Sequence, residues 1–131
     1  MAGTVTRKAS PARLVRAFDA ATRPLRELAG RTMFGYPAVF LRGHMVAGLV
    51  RDRMVLRLGE ADRARFLARE GGEPFVAMGR TMRHWVVVPP AMVAQPARLG
   101  RWLRRALAHG RSLPAKSNTG SRSAARPPGR A

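Results

Sequence analysis

Residues Met33 to Leu58 constrain the fold of this chain more than any other stretch. Three short apolar runs, Pro37–Leu41, Met45–Val50 and Met54–Leu58, are joined by Arg42-Gly43-His44 and Arg51-Asp52-Arg53. Each run has strand length. Each joint holds a Gly or an Asp, residues that accept left-handed backbone or bond their own main chain in a tight reversal. The pattern predicts an antiparallel meander.

Helical signals flank it. Ser10-Pro11 can cap and open a helix, and Leu14, Phe18, Ala21, Leu25 and Leu28 continue at spacings of three and four. Pro24 predicts a kink or break in that helix, and Gly30 its stop. Gly59-Glu60-Ala61-Asp62 predicts a second helix with acids in its first turn, where the dipole favours them. Phe66 and Leu67 would face the core, and Gly71-Gly72 would end it. Pro74–Met78 reads as a short edge strand, and Thr81–Val88 as a better one, stopped by Pro89-Pro90. A last helix near Pro96 carries Leu99, Trp102, Leu103, Ala106 and Leu107 on one face, with Gly110 as its stop.

This order predicts a two-layer α+β domain, an antiparallel meander sheet packed by helices. At 131 residues the chain has room for one such domain and one modest core. From Arg111 the composition turns to Ser, Ala, Pro, Gly and Arg, with Leu113 the single large apolar residue. Such a segment buries too little surface to offset its ordering entropy. The expected organisation is a flexible N-terminus over 1–9, a folded domain over 10–112 and a disordered basic tail over 113–131. Gly-Arg-Thr-Met occurs at Gly30–Met33 and again at Gly79–Met82. Without further matches downstream it reads as coincidence or similar strand-entry geometry, not as duplication.

The formal charge is +18, and all seven acids lie between Asp19 and Glu73. Such a field favours polyanions such as nucleic acid or acidic membrane surfaces. The cations are Arg apart from Lys8 and Lys116, in a chain rich in Ala, Gly and Pro. A GC-rich coding sequence also writes that mixture, so composition alone leaves both readings open. With no cysteine, disulfides, a thiolate nucleophile and Cys-type zinc sites are excluded. No apolar run approaches the roughly 20 residues of a membrane span. The first residues have no apolar signal region either, so a cytoplasmic location is expected.

Catalytic chemistry finds little footing. The serines are Ser10 and those from Ser112 onward, away from the expected core, so no activated nucleophile is visible. The carboxylates have ordinary roles as helix-surface, turn or first-turn acids. His44, His84 and His109 share no i, i+4 face with one another or with an acid, so no metal spacing appears. His84-Trp85, as a strand pair, would point one side chain in and one out. No phosphate-cradling glycine motif is present. The expectation is no catalytic residues, no metal and no cofactor.

The last helix is the best functional candidate. Arg98, Arg101, Arg104 and Arg105 lie away from Trp102 and Leu103, and Arg111, Lys116, Arg122, Arg126 and Arg130 continue into the tail. Such a basic amphipathic helix can lie on nucleic acid or anionic lipid, and the plainer reading, which the pattern favours, is a helix packed on the sheet with a solvated charged face. Binding through these cations would be non-specific and steeply salt-dependent. No aromatic residues interleave with them, which gives base stacking no support.

The meander and the residues after it also resemble a known family. The matching residues are Met33-Phe34-Gly35-Tyr36, Val39-Phe40 ahead of Gly43, and Met45-Val46-Ala47-Gly48-Leu49. Asp52, Leu56, Arg57-Leu58, Glu60-Ala61-Asp62-Arg63, Pro74-Phe75 and Met78-Gly79-Arg80 with Met82 come next in order. With a strand near Trp85–Val88 and a final helix, this is similar to the TfoX N-terminal domain of the Sxy/TfoX competence regulators and many short stand-alone bacterial proteins. The resemblance covers roughly Pro11 to Leu113 and departs at Tyr36-Pro37, where the family often shows a Gly-rich stretch.

The resemblance implies a small mixed α/β domain, bacterial and cytoplasmic, with no catalytic residues to carry over. It also implies a stand-alone unit, since no room remains for the regulators' C-terminal domain. The expected function is a non-enzymatic, regulatory role through nucleic-acid or protein binding. A small-molecule binder or an enzyme of unknown reaction is the alternative. The oligomeric state is not fixed by these observations.

Overall fold

The computed structural model describes residues 9–115 of the chain. Helix α1 (Ala12–Thr22) leads into a sheet of β1 (Ala29–Met33), β2 (Tyr36–Leu41), β3 (His44–Val50) and β4 (Arg53–Arg57). Helix α2 (Glu60–Arg69) then precedes β5 (Glu73–Ala77) and β6 (Arg80–Val87), and α3 (Pro90–Val93) and α4 (Pro96–Ser112) close the described chain. The six strands form one antiparallel sheet in the order β1-β2-β3-β4-β6-β5. This is the α+β architecture that the meander implies.

The turn chemistry of the hairpins is explicit. Phe34-Gly35, Arg42-Gly43 and Met78-Gly79 each place two successive residues at positive φ, with values of 54° and 87°, 49° and 89°, and 52° and 75°. Two left-handed residues are what a two-residue hairpin loop needs for its twist to match that of the strands. Glycine takes the second position at no steric cost.

One sheet face carries the core. Val39, Ala47, Leu56 and Val86 lie in one cross-strand row and pack with Phe18, Phe66, Leu99 and Leu103 from the helices. Ala38, Gly48, Val55 and Val87 form the adjacent row. Side chains alternate faces along a strand, so this row belongs to the opposite face. It is nonetheless buried, and nearby the Arg31 guanidinium lies 5.0 Å from the centre of the Phe40 ring.

Several boundaries differ from those the sequence predicts. Helix α1 ends at Thr22, ahead of Pro24, and does not run on to Gly30. Thr22 Oγ1 donates to Phe18 O at 2.8 Å, and the Arg23 amide bonds Asp19 O at 2.9 Å. Pro24 has no N–H with which to continue the ladder. Leu25 and Leu28 still pack on the core, from successive turns rather than from a helix. Ala29–Met33 is then free to become β1, an edge strand that the helical spacing concealed.

Gly110 is no stop either, because α4 continues to Ser112. A Cβ there would sit 3.2 Å from Val46 Cγ2 and 3.3 Å from Leu41 Cδ2, so the residue serves close approach of helix to sheet. Pro89-Pro90 ends β6 as expected, but Pro90 also opens the short α3, which buries Met92. The two Gly-Arg-Thr-Met segments are not equivalent: Gly30 lies inside β1, and Gly79 is a left-handed turn residue.

Candidate nucleic-acid interface

Helix α4 is the principal helix on the sheet. Pro96 stands in its first turn, and Leu99, Trp102, Leu103, Ala106, Leu107 and Gly110 are buried along one side. The Trp102 ring meets Phe66 of α2 edge to face, with centroids 4.9 Å apart and planes at 79°. That side fixes the helix, and the cations necessarily occupy the other.

Those cations fall into two groups. Arg98 Nε donates to Glu70 Oε1 at 2.8 Å, and its Nη2 reaches the same oxygen at 2.7 Å and Glu70 O at 3.3 Å. Arg105 Nη1 donates to Asp62 Oδ1 at 2.9 Å, with its guanidinium 5.2 Å from the Trp102 ring centre. Arg111 Nε donates to both oxygens of Glu27, at 3.0 and 3.2 Å, and Nη2 also pairs with that carboxylate. This contact holds the Glu27 carboxyl below its usual range, and raises Arg111. Three of the proposed contact cations therefore serve first as internal ties, binding α4 to α2, to the end of that helix, and to the segment after α1.

Arg101 and Arg104 have no ion-pair partner among the described residues and are exposed. Arg104 lies at a groove of about 160 Å³ between α1 and α4, walled by Ala17, Ala20, Pro24 and Gly100. Lys116, Arg122, Arg126 and Arg130 lie outside the described residues. Arg42 Nη2 donates to Arg111 O at 2.7 Å and Leu113 O at 3.0 Å, and His44 Nε2 lies 2.7 Å from Pro114 O. The β2–β3 turn thus fixes where the chain leaves α4.

A family model described as the TfoX N-terminal domain matches residues 20–110, well over half of the chain. The chain belongs to the TfoX N-terminal domain family. No curated protein matches it. The matched span takes in the meander, α2 and most of α4, including Arg98, Arg101, Arg104 and Arg105, and stops short of Arg111 and the tail. No helix among the described residues is long and apolar enough to cross a membrane.

In this TfoX N-terminal domain the fold also assembles residues that sequence spacing kept apart. The His84 and His109 rings stack with centroids 5.8 Å apart and planes at 28°. His84 has φ of 73°, a left-handed value inside β6. Its ring meets α4 there, and its carbonyl accepts from the Leu58 amide at 2.7 Å, at the end of β4. The pair of histidines is separated by α3 and most of α4, so no local periodicity could reveal it. No group of three or more His, Asp or Glu is placed to hold a metal among the described residues. A larger groove of about 720 Å³, beside the start of α1, has Arg13 and Asp52 as its charged lining residues.

Proposed function

We propose that this TfoX N-terminal domain is a non-catalytic binding domain that associates with nucleic acid through backbone phosphates, in a regulatory capacity within the cytoplasm. Arg101 and Arg104 are the contact cations on α4, and Lys116, Arg122, Arg126 and Arg130 extend the contact. The observation that carries this reading is the internal pairing of the acids. Glu27, Asp62 and Glu70 are each tied to an arginine of α4. They cannot neutralise Arg101 and Arg104 as well, and a chain of +18 keeps a large unpaired positive field. Binding of this kind positions the protein on a duplex without reading sequence.

The test is retention on duplex DNA of unrelated sequences across a salt series. Each phosphate contact contributes about 0.9 to the slope of log affinity against log salt. Arg101→Ala with Arg104→Ala is expected to flatten that slope by about 2, and removal of Lys116–Ala131 to flatten it further. Arg98→Ala is expected to act on stability instead. Absence of wild-type retention at low salt, or a slope unchanged in both variants, would overturn the reading.

A further inference from the structure

Among the described residues, the buried side-chain polar atoms without a hydrogen-bond partner are Ser10 Oγ, His44 Nδ1, Arg57 Nε, Arg63 Nε and His109 Nε2. Buried polar groups are nearly always satisfied, so such atoms mark places where water or an ion belongs. Three of them belong to His109 and to Arg57 and His44, whose charges act on it, and the amide of Leu58, next to Arg57, donates to His84 O at 2.7 Å. His109 lies against Gly59, just past the end of β4, with its Nδ1 only 3.2 Å from where a Cβ on that glycine would stand. Its other face stacks on His84. Burial and then the Arg57 guanidinium are the largest influences lowering its pKa, with His84 next and His44 contributing less.

The charge of this neighbourhood decides what it can hold. His84 from β6 stacks on His109, and the charged or titratable groups whose fields also reach it are Arg57 from β4, Asp62 from α2 and His44 from β3. Asp62 is the acid of the set, and Arg105 of α4 already engages it. A metal cation would meet the fixed charge of Arg57. An anion would meet one permanent donor and imidazoles that become donors on taking up a proton. All four basic side chains are half-buried, so the cluster is open to solvent on one side. His84 has left-handed backbone within β6, and its ring lies against His109.

We propose that His109, His84 and Arg57, with His44 beside them, form a binding site for a phosphate-class oxyanion at the end of the sheet where α4 finishes. The site is separate from the exposed arginines of α4 and stands whether or not those contact nucleic acid. Binding takes up a proton at His109, because the anion favours the charged imidazole that burial and Arg57 disfavour.

Imidazole resonances of the full chain, monitored by NMR through a pH titration, test this in sodium phosphate and in sodium chloride of equal ionic strength. The expected result is a His109 pKa higher in phosphate by about one unit, equivalent to about tenfold tighter binding to the protonated form. Arg57→Gln is expected to abolish the rise. His84→Asn, which tolerates the left-handed backbone, is expected to weaken phosphate binding and serves should Arg57→Gln fail to fold. A short duplex at the same phosphate concentration separates the sources. A rise with both probes assigns the site to a nucleic-acid backbone phosphate, and a rise with inorganic phosphate alone assigns it to the free anion. The same His109 pKa in phosphate and chloride overturns the proposal.

Discussion

At Gly72 a single missing methyl holds α2 against the sheet. A Cβ there would overlap the Phe66 ring and come within 3.1 Å of Val87 O. Phe66 is fully buried and locked edge to face against Trp102, so it cannot swing aside cheaply. Gly72→Ala is expected to cost about 1–3 kcal/mol by overpacking, read as a lower denaturation midpoint at unchanged slope. Gly30 in edge strand β1 has nothing within 4 Å of such a Cβ. Gly30→Ala is therefore expected to stabilise, by about 0.5–1 kcal/mol, through the smaller backbone entropy of the unfolded chain.

His109 gives the fold a pH dependence of definite sign. Burial, Arg57 and the neighbouring histidines lower its pKa in the folded state. The unfolded chain then binds the proton more readily, so stability is full above the ordinary histidine range near pH ~6.5 and falls as pH drops through it. Unfolding curves in chloride buffer are expected to show that decline, and His109→Gln to flatten it. A steeper decline in the variant would contradict the assignment.

At the scale of elements, α4 is a core helix before it is a binding surface. Leu103 is fully buried, so Leu103→Ala is expected to lower stability by about 2–5 kcal/mol. Arg104→Ala, one residue along, is expected to change it by less than about 0.5 kcal/mol. Denaturant unfolding of the two variants side by side measures the contrast. The amphipathic pattern of α4 was legible in the sequence because burial tracks its helical period residue by residue. The end of α1 was not. Leu25 and Leu28 continue the spacing of Leu14, Phe18 and Ala21, and all reach the same core. Periodicity registers that they are buried, but not that turns deliver the last two. Pro24 was the one local sign, and its effect is a full termination.

At the scale of the molecule, the sheet order reflects properties of individual strands. Pro74 cannot donate to a ladder on both sides, which suits β5 to the edge. The Trp85–Val87 end of β6 pairs with β4 as well as with β5. The acids and arginines are distributed so that three ion pairs join α4 to other elements, one of them between residues 84 positions apart. Each is part-exposed, and exposed pairs contribute little individually. Their larger consequence is electrostatic, since they consume negative charge that would otherwise screen the rest of the surface.

The sequence by itself determined the alternation of strands and tight turns, the edge position of β5, the buried face of α4, the family and the excess of positive charge. The strands, turns and helix face rest on periods of two and 3.6 and on local turn chemistry, the family on the order of its motifs, and the charge on simple composition. Only the tertiary structure decided which arginines are tied to Glu27, Asp62 and Glu70, that Gly110 is a contact point, and that His84 meets His109. Each of these depends on residues far apart in the chain being brought to within a few ångströms, and no local pattern encodes such a distance.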